Sequence, residues 1–202
     1  MLKKIIVLLL FAFSLSGCLS PIKTPEESSY TLTSYTTHHA THTKKTHTQK
    51  ILLITTPTAS PGYGSSDMIY VMIPYQLKSF ADHRWVAPPS ELLLPLLTEK
   101  MHRTGLFKAV VTPPFTGAAT YQLSTQLLML QQEFLQPQSE VRLVMSATLI
   151  KIASGRVVGN RIFSVLVPAE GNNPYGGVLA TNKAAHRIIN QIAQFVVQRA
   201  RN

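Results

Sequence analysis

The residues of this 202-residue chain that could do chemistry are few and fall in a handful of places. Leu15-Ser16-Gly17-Cys18 sets small residues ahead of a cysteine, behind Lys3, Lys4 and the apolar run Ile5 to Phe13. A positive start, a short apolar stretch and a small-residue cleavage site make a secretory signal. Ending that signal on cysteine makes it a bacterial lipobox, in which the thiol takes lipid and the chain is cut before Cys18. His38, His39, His42 and His47 lie close together in a Thr-rich thread. Such a tract can hold zinc or copper loosely. It has no acid or thiol beside it and a large ordering entropy to overcome, so a polar connecting loop is the preferred reading. Glu99-x-x-His102 is half of a carboxylate-histidine metal motif; the second half is missing, which leaves a solvent-facing pair. Asp82 and His83 are adjacent, and Gly62-Tyr63-Gly64 lacks the third glycine and the Lys-Ser/Thr pair of a phosphate loop. No serine sits in Gly-x-Ser-x-Gly. The residues give an enzyme no support: no catalytic residue, metal site or cofactor is expected.

With one cysteine in the chain, a disulfide framework and a thiolate metal site are both excluded. The formal charge is +10; the 19 Lys and Arg less Lys3 and Lys4 leave 17 against 9 acids, so the chain from Cys18 onward carries +8. A secreted, membrane-tethered protein rarely meets nucleic acid. Anionic head groups or an acidic protein are better partners for the excess, although scattered Lys78, Lys108, Lys151, Arg156 and Arg161 also read as an ordinary solvated surface. No second apolar run approaches transmembrane length, so attachment through acyl chains is expected. Leu19, in place of the Asp that typically retains such lipoproteins at the inner membrane, makes the outer membrane, facing the periplasm, the expected location.

The elements that must position these residues begin with Ser29 to Thr33, a candidate first strand, in a region 18–49 that otherwise reads as anchor and Thr/His-rich loop. Residues 50–202 read as the rest of one domain that starts near residue 28. Ile51 to Ile54 is an apolar central strand, and Asp67 to Ile73 a buried strand ended by Pro74. Asp82 to Ser90 reads as an aromatic-proline turn. Leu92, Leu93, Leu96, Leu97 and Met101 mark a helix over about 89–104, with Pro95 predicting a late start or a kink. Gly105 stops it, and Leu106 to Val111 reads as a strand. Tyr121 to Phe134, Val141 to Ala153 and Arg156 to Val167 form a meander joined at Gln136-Pro137 and Ser154-Gly155; Tyr121, Leu123, Leu127 and Met129 share its inner face, with a bulge near Leu128. Gly171 to Gly177 reads as a loop and 181–200 as an amphipathic helix. The expectation is one two-layer α/β (α+β) sandwich, with a mixed or antiparallel sheet of five to six strands and two main helices.

Tyr70, the run Arg84-Trp85-Val86-Ala87-Pro88-Pro89, the Leu-rich helix and Thr104-Gly105-Leu106-Phe107 resemble the ABC-type transport auxiliary lipoprotein family, which includes the paraquat-inducible lipoprotein C type. The resemblance spans roughly residues 28 to 200 in order of elements, and its specific part is this central run; taken alone, Trp85 reads as a packing residue. The resemblance implies an accessory role in lipid transport across the envelope. The implied partners are a periplasmic protein of the mammalian cell entry type and its inner-membrane ABC permease, and a ring of copies around a symmetric bridge is conceivable. Spare loop aromatics Tyr63, Phe115 and Tyr175 are the candidate contact residues. The alternative is an envelope assembly or inhibitor lipoprotein that binds a cell-wall or lipopolysaccharide machine.

Overall fold

The computed structural model describes residues 26–33 and 48–201, so Cys18 and the clustered histidines lie outside the described residues. In chain order the elements are β1 (Ser28–Tyr30), β2 (Ile51–Ile54), β3 (Thr58–Ala59), β4 (Asp67–Val71), β5 (Lys78–Trp85), α1 (Pro89–Arg103), β6 (Ala109–Val111), β7 (Tyr121–Glu133), β8 (Glu140–Lys151), β9 (Arg156–Pro168) and α2 (Pro174–Arg201), with a 3-10 turn at Ile152–Ser154.

Strand β7 is the spine. On one side β8 and then β9 run antiparallel to it as the expected meander. On the other side β2, β3 and β4 follow one another along its length, each parallel to it, with Leu52 opposite Tyr121, Thr58 opposite Gln126 and Tyr70 opposite Gln132. Beyond them β6 lies parallel to β2, β5 antiparallel to β4, and β1 parallel to β5. The mixed sheet thus has nine strands, more than the five to six expected. β1 and β6 fall at the strands expected over 29–33 and 106–111; the strands not expected are β3, of two residues and too short to show a period of two, and β5. Asp82, His83 and Arg84 read as turn residues, yet they belong to a strand beside the sheet edge whose positions are mostly exposed or half-buried.

The helices cover one face. Helix α2 lies across β8 and β9, with α1 beside it against β6. Its 28 residues span about 42 Å, matching the roughly 43 Å of the 13-residue strands β7 and β9. Val141, Leu143, Met145, Ala147 and Leu149 of β8 alternate into this layer, meeting Leu93, Leu97 and Met101 of α1 and Ile188 and Ile192 of α2 in the buried core. A register shift between Leu127 and Met129 confirms the bulge. It hands the inner face to Leu130, so Met129 is half-buried instead of lying in the core as expected.

Helix α1 starts at Pro89, ahead of Pro95, so the late start does not occur. Proline at the first helical position needs no N–H partner, and Pro95 takes an exposed position. The chain turns at Gly105 with φ +64, and the next strand is only Ala109–Val111, shorter than expected. Helix α2 begins seven residues earlier than expected. Asn173 caps it: its Oδ1 accepts from the N–H of Gly176 at 2.8 Å, and Pro174 takes the first position. Gly176 and Gly177 lie in that first turn because a Cβ would stand 2.2 Å from Gly171 O or from Gln132 Oε1. Among the described residues no helix is long and apolar enough to cross a membrane.

Candidate functional site

The β7 C-terminal end of the sheet carries a row of rings. The Phe134 N–H donates to Val71 O at 2.8 Å, which brings the end of β7 beside β4. Phe134 then meets Tyr70 edge-on at 6.0 Å, Tyr70 meets Phe80 at 4.5 Å, Phe80 meets His83 at 6.3 Å, His83 meets Tyr30 at 5.9 Å, and Tyr30 meets Tyr175 at 6.3 Å. The row crosses from β7 through β4, β5 and β1 to the first turn of α2. Aromatic contacts at these spacings are favourable and rigid.

Beyond the row, the β4–β5 turn projects apolar side chains. Met72 and Ile73 are 59% and 58% exposed, and Tyr75 is fully exposed with φ +68, the left-handed region that a tyrosine enters at a cost. Leu77, and Leu135 of the neighbouring β7–β8 turn, are also exposed. This corrects the expectation of a buried strand through Ile73: the strand ends at Val71, where pairing with β7 runs out at Glu133. Such a tip can seat on an apolar or interfacial surface; it offers nothing for bond chemistry. Sequence reading missed it. The signal that could have found it is the apolar run Met72-Ile73 carried straight into a Pro74 turn, where polar residues are the rule.

Beside the tip lies a half-buried polar network. Arg142 donates to both oxygens of Glu133, from Nε at 2.7 Å and from Nη2 at 2.9 Å, and Gln131 Nε2 donates to Oε1 at 2.7 Å. The Tyr63 hydroxyl donates to Gln131 Oε1 at 2.6 Å. The Arg142 hydrogen bonds hold the Glu133 carboxyl below the ordinary carboxylate range against the opposing effect of burial. Burial first, and then the Glu133 charge, push the Tyr63 hydroxyl up.

Of the three spare aromatics, Tyr63 is half-buried against the core and tied to Gln131, and Phe115 is half-buried in the loop that enters β7 at Tyr121, the other end of that strand. Tyr175 is 57% exposed and stands in the aromatic row. The residues behind the family resemblance are placed for folding. Tyr70 is in the ring row; Arg84 is ion-paired with Glu27; Trp85 is 3% exposed, its backbone N–H donating to Ser66 O at 2.8 Å. Pro88 and Pro89 start α1, Gly105 ends its turn, and Phe107 packs half-buried on the core.

The candidate chemical pairs come apart. Asp82 and His83 are neighbours in a strand, so their side chains leave opposite faces. Glu99 is taken by Arg103 at 2.6 Å, and His102 is exposed. No three His, Cys, Asp or Glu side chains gather at metal-holding range among the described residues. A crevice between α1 and α2, lined by Leu96, Arg103, Asn182 and His186, measures about 60 Å³, and one between the sheet and the start of α2, beside Trp85 and Thr181, about 10 Å³. These two hold a few waters; wider hollows open to solvent lie along β9 and α2 beside Arg161 and Phe195, about 410 Å³, and beside Pro95 and Thr112, about 540 Å³.

A search of the curated proteins finds no match. Among solved structures, protein XCC0632 of Xanthomonas campestris superposes with a TM-score of 0.75 at 17% identity, covering 86% of this chain and 97% of that one. A second, an uncharacterised protein, gives 0.68 at 12% identity over 85% and 99%. At these identities the likeness concerns the fold alone. The family model for the ABC-type transport auxiliary lipoprotein component matches residues 30–193, from the ring of Tyr30 in β1 to the buried face of α2. Because that match covers well over half of the chain, the chain belongs to the ABC-type transport auxiliary lipoprotein component family.

Proposed function

We propose that this protein is a lipid-anchored docking component of an envelope lipid-transport system, held at the periplasmic face of the outer membrane by acyl chains on Cys18. It binds a periplasmic protein of the mammalian cell entry type whose inner-membrane ABC permease drives transport. The observation that carries this reading is the family match over residues 30–193. The lipobox Leu15-Ser16-Gly17-Cys18 supports the anchor, and Leu19 supports the outer membrane. The work done here is binding and not catalysis: the polar groups at the sheet end are committed to one another, as Glu133 is to Arg142 and Gln131.

The test is co-purification of the full chain from solubilised envelopes, with partners identified by mass spectrometry. Recovery of a mammalian cell entry protein or its permease supports the reading. Recovery of cell-wall or lipopolysaccharide machinery in their place overturns it in favour of an assembly or inhibitor lipoprotein. Cys18→Ala should release the protein from the outer-membrane fraction; unchanged fractionation removes the anchor.

A further inference from the structure

The direction of β1 points the chain that precedes it toward one end of the sheet. Strand β1 is parallel to β5, with Ser28 opposite His83 and Tyr30 opposite Trp85. Followed backwards, β1 therefore runs toward the start of β5, which is the β4–β5 turn. Five positions separate His83 from Lys78 at the beginning of β5, about 17 Å at the rise of a strand. The ten residues from Cys18 to Ser28 extend at most about 35 Å. A taut tether thus ends near the level of Tyr75 and just beyond it. To reach the β8–β9 turn it would have to double back along the depth of the sheet.

We propose that the β4–β5 tip is a membrane-seating surface: Met72, Ile73, Tyr75 and Leu77, flanked by Leu135, enter the head-group region of the bilayer that holds the acyl chains of Cys18. This rests on the lipid-anchor reading above and adds to it the orientation of the domain. Two observations beyond exposure favour a lipid surface over a protein groove. First, the chain leaves toward this end, so whatever covers the tip lies where the anchor goes. Second, residues 72–81 and 134–139 contain no Asp or Glu, and Lys78 stands at the base of the tip; apolar side chains with a lysine behind them match phosphate head groups over an acyl boundary. Tyr75 has the amphipathic ring that favours this interface. The strained backbone at Tyr75 holds that ring outward, and the ring row from Phe134 to Tyr30 stiffens the strands behind it.

The test uses the full lipidated protein in phosphatidylethanolamine and phosphatidylglycerol vesicles. A free thiol introduced as Ile73→Cys or Tyr75→Cys is labelled with an environment-sensitive dye, since an acylated Cys18 does not react with maleimide. Val157→Cys, at an exposed site at the start of β9, is the control at the other end. Trp85 emission checks that each variant is folded. A blue shift and quenching by nitroxide lipids at positions 73 and 75, absent at 157, supports the proposal. Unquenched dye at 73 and 75, with Cys18 shown by mass to be acylated, overturns the tip while leaving the anchor intact. Quenching at 157 in place of 73 and 75 reverses the orientation and overturns it equally. If mass shows Cys18 unmodified, the anchor reading fails, and the dye is then read on a Cys18→Ser background, where quenching at 73 and 75 keeps the tip and its absence removes it.

Discussion

Ser28 stands opposite His83 in a parallel pair, and Glu27 immediately before it is ion-paired with Arg84. A three-residue edge strand is held there by little else at its start, whereas its far end is tied to α2: the Thr33 N–H donates to Asn182 Oδ1 at 3.0 Å. The pair is half-exposed on both sides, so Arg84→Ala should cost no more than about 1 kcal/mol in urea unfolding. Amide exchange should nevertheless rise at Val86, whose N–H donates to Tyr30 O at 2.8 Å. A loss well above that size would mean β1 stabilises the whole sheet.

Glu133 and Arg142 set the acid limb of stability. The carboxyl is held below its ordinary value chiefly by the Arg142 hydrogen bonds. A depressed folded-state value adds stability that is complete above the unfolded-state value, about 4.3 for a glutamate, and is lost as pH falls through the lower folded one. Arg142→Met should cost about 2 kcal/mol near neutrality. The difference from the wild type should shrink below pH about 4. Equal differences at both pH values in urea unfolding would contradict this account.

Tyr63 sets a smaller alkaline limb. Its hydroxyl is pushed up by burial and by Glu133, so the stability it adds is complete below pH about 10 and lost as pH rises through the folded-state value. Tyr63→Phe orphans an acceptor on Gln131 and should cost about 1 kcal/mol at neutral pH. Stability of the variant should fall less than that of the wild type on going to strongly alkaline solution, which unfolding curves read directly.

Gly176 and Gly155 should respond differently to alanine. At Gly176 the new Cβ meets a backbone oxygen, Gly171 O, at 2.2 Å, while at Gly155 it meets open space and only φ +62 opposes it. The first is expected to cost about 1–3 kcal/mol as overpacking against rigid backbone. The second should cost about 1 kcal/mol from the left-handed conformation alone. Gly155→Ala proving the worse of the two would refute the close approach of α2 to the β9–α2 loop.

Leu97 is fully buried between α1 and the sheet, and Leu97→Ala should cost about 2–5 kcal/mol. Trp85 is the chain's one tryptophan and is 3% exposed, so its emission should be blue-shifted and shielded from acrylamide, reporting this loss. Ready quenching in the native protein would place β5 wrongly.

The sequence by itself determined the parts whose reason is local. Alternation in Val141 to Leu149 and the leucine spacing of α1 already say which side of each element is buried, and Pro88-Pro89 and Gly105 bound that helix by backbone constraint. The lipobox is likewise a matter of adjacent residues. Asn173-Pro174 was a legible helix start too, masked by the glycines that follow it. Tertiary structure alone decided the rest. β3 is a strand only because β7 offers it a partner, and β5 because β4 and β1 flank it; β3 is too short and β5 lacks a clean enough pattern to declare itself. The same holds for the tip. Nothing local says that Met72 and Ile73 pass beyond their partner strand, or that a parallel register at Ser28 points the start of β1 toward the end where they project, because both follow from pairings between residues dozens of positions apart.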